Sequence, residues 1–229
     1  MQKLKKTLFT LNLHPAEYKE ITDITYPFLK HYAGKCGADM VVINKRRFPK
    51  WPANYEKFQI YKIGQEMQND WNIFFDCDAL IHPDTPDWTE HIPKDTVAHN
   101  GADMSTMRFR CDRFLRRDGR HLGSATWLCI ASDWCIELFE PCLDMTPAEV
   151  DRMIFPTSRE MICGMKPIRL VEDFLMSRNI AKYGLKFVSL KELQKTLGLT
   201  DASFFFHMYA IPKEEKVAKL KEVVKAWGF

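Results

Sequence analysis

A short, largely apolar run, Trp71-Asn72-Ile73-Phe74-Phe75, stops abruptly at Asp76-Cys77-Asp78. Runs of this length, rich in aromatic and β-branched residues, form central strands covered on both faces, as in a mostly parallel sheet. In open α/β sheets ligands bind just outside the carboxyl ends of the strands. Asp76 and Asp78 are therefore expected where a ligand would sit. Two carboxylates one residue apart repel unless a cation lies between them. Hard cations such as Mg²⁺ and Mn²⁺ take such oxygen ligands and share them with substrate phosphates. A solvated acidic turn is the simpler alternative. It accounts less well for Leu80-Ile81, where the apolar pattern resumes directly after the pair.

The flanking sequence supports an α/β fold. Thr7 to Leu13 alternates as a first strand, and a helical region follows to about Cys36. Pro27 is expected in the first turn of a second helical piece, with Phe28, Leu29 and Tyr32 facing inward. Met40 to Ile43 reads as strand two, and Tyr55 to Met67 as a helix. Strand, helix, strand, helix, strand is the signature of a parallel sheet. Further along, 97–100 and 125–131 read as short strands. Asp133 is expected to cap a helix running to Phe139, and Pro147 to Arg152 reads as another. Asp173 to Tyr183 is predicted helical with Gly184 as its stop, followed by a strand at Lys186–Ser189. A final helix from Pro212 carries Val217, Leu220, Val224 and Trp227 on one stripe. The simplest organisation is one domain over 1–229. Its nucleotide-binding half would be 1–81, and 82–229 its acceptor half and last helix.

The 229 residues are 46% hydrophobic and 28% charged, enough to bury a sizeable core. A net charge of +3 does not argue for nucleic acid. Seven cysteines without regular spacing point away from a disulfide framework and towards a reduced, cytoplasmic setting. No apolar run reaches the length of a membrane span, so membrane association would be peripheral at most.

A second acidic pair, Glu172-Asp173, opens a predicted helix, where the dipole alone favours carboxylates. It bears on catalysis only if that helix end faces Asp76 and Asp78.

The order of these motifs resembles nucleotide-diphospho-sugar glycosyltransferases of the GT-A fold. In that family a Rossmann-like half ends in a D-x-D strand, here Asp76-Cys77-Asp78-Ala79-Leu80-Ile81. A later Glu-Asp opens a helix that runs through an Arg to a Gly-x-Lys turn, here Glu172-Asp173-Phe174-Leu175-Met176-Ser177-Arg178 and Gly184-Leu185-Lys186. The resemblance spans about Lys6 to Ser189. It implies that Asp78 binds Mn²⁺ or Mg²⁺ and that Asp76 contacts the cation, ribose or sugar. It further implies that Asp173 takes the proton from an acceptor hydroxyl, with Glu172 positioning it. Thr10 and Asn12, at the end of strand one, would contact the base. Lys57 would contact the nucleotide or sugar, unless it is a solvated helix lysine. In some members a C-terminal His completes the metal site, which His207 would supply here; a core histidine is the alternative. The resemblance thus implies a nucleotide-sugar donor, a UDP-sugar above all, and a glycan or other hydroxyl acceptor. Some retaining members carry Asn-x-Gly where this chain has His121-Leu122-Gly123-Ser124-Ala125, which argues against that branch, while the base that Glu172-Asp173 would offer points to inversion.

Six arginines from Arg108 to Arg120 suit phosphates or an anionic acceptor, a nucleic-acid patch, or a solvated loop. Trp127 and Trp134 are expected in the core. A haloacid-dehalogenase-like phosphatase with Asp76 as nucleophile is the alternative enzyme, although that family places its motif on the first strand and follows it with Gly. An RNA-binding α/β domain is the alternative without chemistry, and it leaves both acidic pairs unexplained.

Overall fold

The computed structural model describes residues 4–100, 126–154, 162, 164, 166–199, 204–208 and 211–229. Six strands form one sheet: β1 (Lys6–Leu11), β2 (Asp39–Ile43), β3 (Trp71–Phe75), β5 (Thr96–His99), β6 (Leu128–Ser132) and β7 (Lys186–Ser189). Their order is β2-β1-β3-β6-β5-β7. Five strands point the same way, and β6 alone runs antiparallel to both its neighbours. A two-stranded ribbon pairs β4 (Leu80–Ile81) with β8 (Phe205–Phe206).

Among the described residues, six α-helices accompany the strands: α1 (Lys19–Cys36), α2 (Gln59–Met67), α3 (Pro147–Met153), α4 (Val171–Tyr183), α5 (Leu190–Thr196) and α6 (Lys213–Ala226). They cover both faces of the sheet, which explains its continuous apolar strands. Alternate residues point into two separate cores. Phe9, Phe74, Cys129 and Ala131 pack with Phe58, Ile60, Leu175 and Met176 on one face. Leu8, Ile73, Phe75 and Ile130 pack with Leu29, Tyr32 and Leu190 on the other. A third, smaller cluster seats α6 on α1 and β4 through Leu220, Val217, Ile21 and Leu80, and Val224 and Trp227 pack at its edge.

Several local expectations change. Pro27 starts no second helix but lies inside a continuous α1. It sits on the exposed face, where water can satisfy the carbonyl that a proline leaves without a donor. Asp133 does not cap the segment Asp133–Phe139. Ser132 does, its Oγ accepting from the Trp134 N–H at 3.0 Å. The Asp133 carboxylate instead accepts from Lys94 at 2.8 Å. Trp134 is 66% exposed, so it is not a core residue. Gly184 ends α4 in the left-handed conformation as expected, at φ 61°. Tyr183 is exposed, and its hydroxyl donates to Glu140. The arginines from Arg108 to Arg120, and His121 to Ala125, lie outside the described residues. Among the described residues no helix is long and apolar enough to cross a membrane.

Candidate active site

The carboxyl ends of β1 and β3 and the start of the reversed β6 share one edge of the sheet. The strand β3 ends at Phe75, so Asp76-Cys77-Asp78 forms the turn between β3 and β4. That turn is pinned at three points. The Asp76 N–H donates to the Trp127 carbonyl at 2.8 Å, which continues the ladder one step past the strand. The Ala79 N–H returns to the Asp76 carbonyl at 3.1 Å. Thr25 of α1 donates its hydroxyl to the Cys77 carbonyl at 2.5 Å.

His207 reaches this turn through strand register. Leu80 pairs with Phe206, so the residue after β8 falls opposite the residues before β4. Its Nε2 lies 3.3 Å from Asp78 Oδ1 and 3.6 Å from Asp76 Oδ2. The ring stacks on Trp127 with centroids 4.8 Å apart and planes 16° from parallel. This histidine, 9% exposed, faces two carboxylates and is no apolar core residue. Trp127 packs against the second core, as expected, and also forms a wall of the site. One ligand atom from each of Asp76, Asp78 and His207 falls within 4.8 Å of the others, a spacing that could hold a metal ion. Two carboxylates and an imidazole form a mixed oxygen and nitrogen donor set of the kind that divalent metal ions take.

The second acidic pair lies in the first turn of α4, and the fold brings it to the same place. Asp76, Asp78, His207, Trp127, Glu172 and Asp173 all line one cavity of about 480 Å³. Asp173 is 3% exposed and accepts from the Thr126 hydroxyl at 2.9 Å. An adjoining cavity of about 220 Å³ runs from Asp76 and Asp78 to Asn12 and His14 beyond β1. Asn12 lines this adjoining cavity. Its amide donates to the Tyr26 hydroxyl at 3.3 Å and its oxygen accepts from the His14 N–H. Thr10 is fully buried in β1 and is among the lining residues of neither cavity.

Lys57 is fully buried, which excludes the solvated helix face that was its alternative, and it is not among the residues lining either cavity. Its amino group pairs with Glu172, lies 3.8 Å from Asp76 Oδ1 and donates to the Thr126 carbonyl at 3.1 Å. It also rests over the Phe74 ring at 4.4 Å. Burial opposes its charge, but Glu172 and Asp76 more than offset that and keep it firmly protonated. On Asp76, burial pushes the carboxyl up to about 6, aided by Glu172 and opposed by Lys57 and His207. On Asp78 burial acts in the same sense, yet His207 and Lys216 outweigh it and hold this carboxyl well below the usual range. Lys216, from the first turns of α6, forms an ion pair with Asp78 Oδ2.

The sequence had no local signal for the roles of Trp127, Thr126 or Lys216. Each acquires its place from a distant pairing.

No family model matches the sequence, and no curated protein matches it. The fold does have a counterpart. A solved structure similar to this chain is that of a glycosyltransferase involved in the glycosylation of the major capsid of PBCV-1. The two agree with a TM-score of 0.53 at 11% identity, over 96% of this chain and 100% of that one. At that identity the likeness is one of fold alone.

Proposed function

We propose that this protein is a metal-dependent glycosyltransferase of the GT-A type. It would move a sugar from a nucleotide sugar, most simply a UDP-sugar, to a glycan or other hydroxyl acceptor. The observation that carries this reading is the meeting of two acidic pairs and His207 around one cavity, at the strand edge where α/β sheets bind ligands.

Asp76, Asp78 and His207 would hold Mn²⁺ or Mg²⁺. When bound, the cation supplies charge neutralisation for the leaving diphosphate. The cavity beside Asn12 would receive the nucleoside. Asp173 has the features of a general base for an acceptor hydroxyl. It lines the cavity, and Thr126 orients one of its oxygens. Direct attack with the base behind the acceptor hydroxyl inverts the anomeric centre. Glu172, tied to Lys57, fixes the first turn of α4 from which Asp173 projects.

The test is calorimetric titration of UDP and UDP-sugars with and without Mn²⁺. Binding should be strong only with the cation, and Asp78→Ala should abolish that dependence while leaving the circular dichroism unchanged. Tight nucleotide binding by Asp78→Ala, indifferent to metal, would refute the assignment.

A further inference from the structure

Four carboxylates surround the cavity, and two ammonium groups answer them. The two lysines are held differently. Lys57 has Glu172, Asp76, the Thr126 carbonyl and the Phe74 ring around it and is absent from the cavity wall. Lys216 is on the wall itself, at the end of a flexible four-carbon stem, and its one described ion-pair partner is Asp78. The Asp78 carboxylate is divided between two groups: Oδ2 takes Lys216 and Oδ1 faces His207. Any cation that uses Asp78 meets an ammonium already in place.

We propose that Lys216 is the exchangeable counter-ion of the metal site: it occupies Asp78 when no cation is bound and leaves when one binds. This rests on the metal reading of the preceding section and adds to it an order of events. A half-buried carboxylate beside others is costly to leave uncompensated, and Lys216 removes that cost in the metal-free protein. The same contact lowers the apparent affinity for free cation by the fraction of time that Asp78 is available. The backbone of α6 need not move, because Val217 and Leu220 anchor it in the core while the lysine stem swings.

Two measurements test the exchange. The first is Mn²⁺ affinity without nucleotide, followed by the electron paramagnetic resonance of free Mn²⁺. Lys216→Met should bind roughly tenfold more tightly than wild type, the gain expected if the ion pair closes Asp78 nine-tenths of the time. Lys216→Arg should stay near wild type, and so should Lys219→Met, whose lysine pairs with Glu222 on the outer face of α6. Lys216→Gln serves the same purpose if the Met variant does not fold. The second is labelling of wild-type lysines with an amine-reactive reagent, read by mass spectrometry. Added Mn²⁺ should raise the modification of Lys216 several-fold. Equal affinity in wild type and Lys216→Met, or labelling indifferent to Mn²⁺ although Mn²⁺ binds, would overturn the exchange alone. Failure of every protein to bind Mn²⁺, with or without UDP, would overturn the metal reading and the exchange with it.

Discussion

Lys57 and Glu172 form a buried ion pair that ties the helical turn before α2 to the first turn of α4, with Asp76 3.8 Å from the same amino group. One lysine thus connects the D-x-D turn to the helix that carries the candidate base. Its side chain is 1% exposed, so solvent does little to replace it.

Removing that charge should destabilise the fold. Lys57→Met leaves Glu172 and Asp76 without their internal cation, a loss of roughly 3–5 kcal/mol for a broken buried pair. Adding Glu172→Gln should recover part of it, because the partner left behind is then neutral. Chemical denaturation of the two single variants and the double variant measures this coupling. Strict additivity would show that the pair is not energetically linked.

Asp173→Asn separates a catalytic from a structural role. Asparagine keeps the oxygen that accepts from Thr126 but cannot take a proton. Sugar transfer should fall by roughly 10²–10⁴-fold, the usual worth of a general base. Donor binding and melting temperature should change little. Transfer at the wild-type rate would remove the base from Asp173, and with it the argument for inversion.

Trp127 should matter through His207. The stacked indole fixes the plane of the imidazole whose Nε2 faces Asp76 and Asp78. Groups that orient a metal ligand are typically worth roughly 10–100-fold in metal affinity. Trp127→Leu should weaken Mn²⁺ binding to about that extent, while Trp127→Phe, which retains a ring, should lose much less. Equal losses in the two variants would point to packing rather than ring orientation.

Acid should weaken the fold through His99. This residue lies in β5, and burial pushes its imidazole down to about 4 from an ordinary 6.5. Above pH 6.5 it is neutral both folded and unfolded, so its neutral form costs nothing there. Between pH 6.5 and pH 4 the unfolded chain takes up a proton that the folded chain refuses, and stability declines. The decline is complete below pH 4 and amounts to about 3 kcal/mol. Denaturation of wild type and His99→Phe across this range should show the decline in wild type and a flatter curve in the variant.

Much of the architecture was legible in the residues themselves, because its signals are local. A strand buried on both faces is largely apolar, which marked β3 and placed Asp76 and Asp78 at its end. Gly184 stops α4 because it reaches a left-handed conformation without strain, and the strand predicted after it begins at Lys186. Alternation of strand and helix was enough to indicate a covered, mostly parallel sheet.

The site needed the tertiary structure, because its members come from widely separated places in the chain. No local pattern could reverse β6, yet that reversal sets Thr126 and Trp127 beside Asp76 and Asp173. The pairing of two-residue strands β4 and β8 carries His207 to the D-x-D turn, and its register depends on contacts between distant segments. Lys57 looks like any helix lysine until α4 closes over it, and Trp134 looks like core although the fold leaves it 66% exposed. Residue type and spacing determine which elements form and where a strand ends. Which charges meet, and which aromatic rings are covered, is decided by long-range packing, since burial is a property of what lies opposite a side chain and not of the side chain itself.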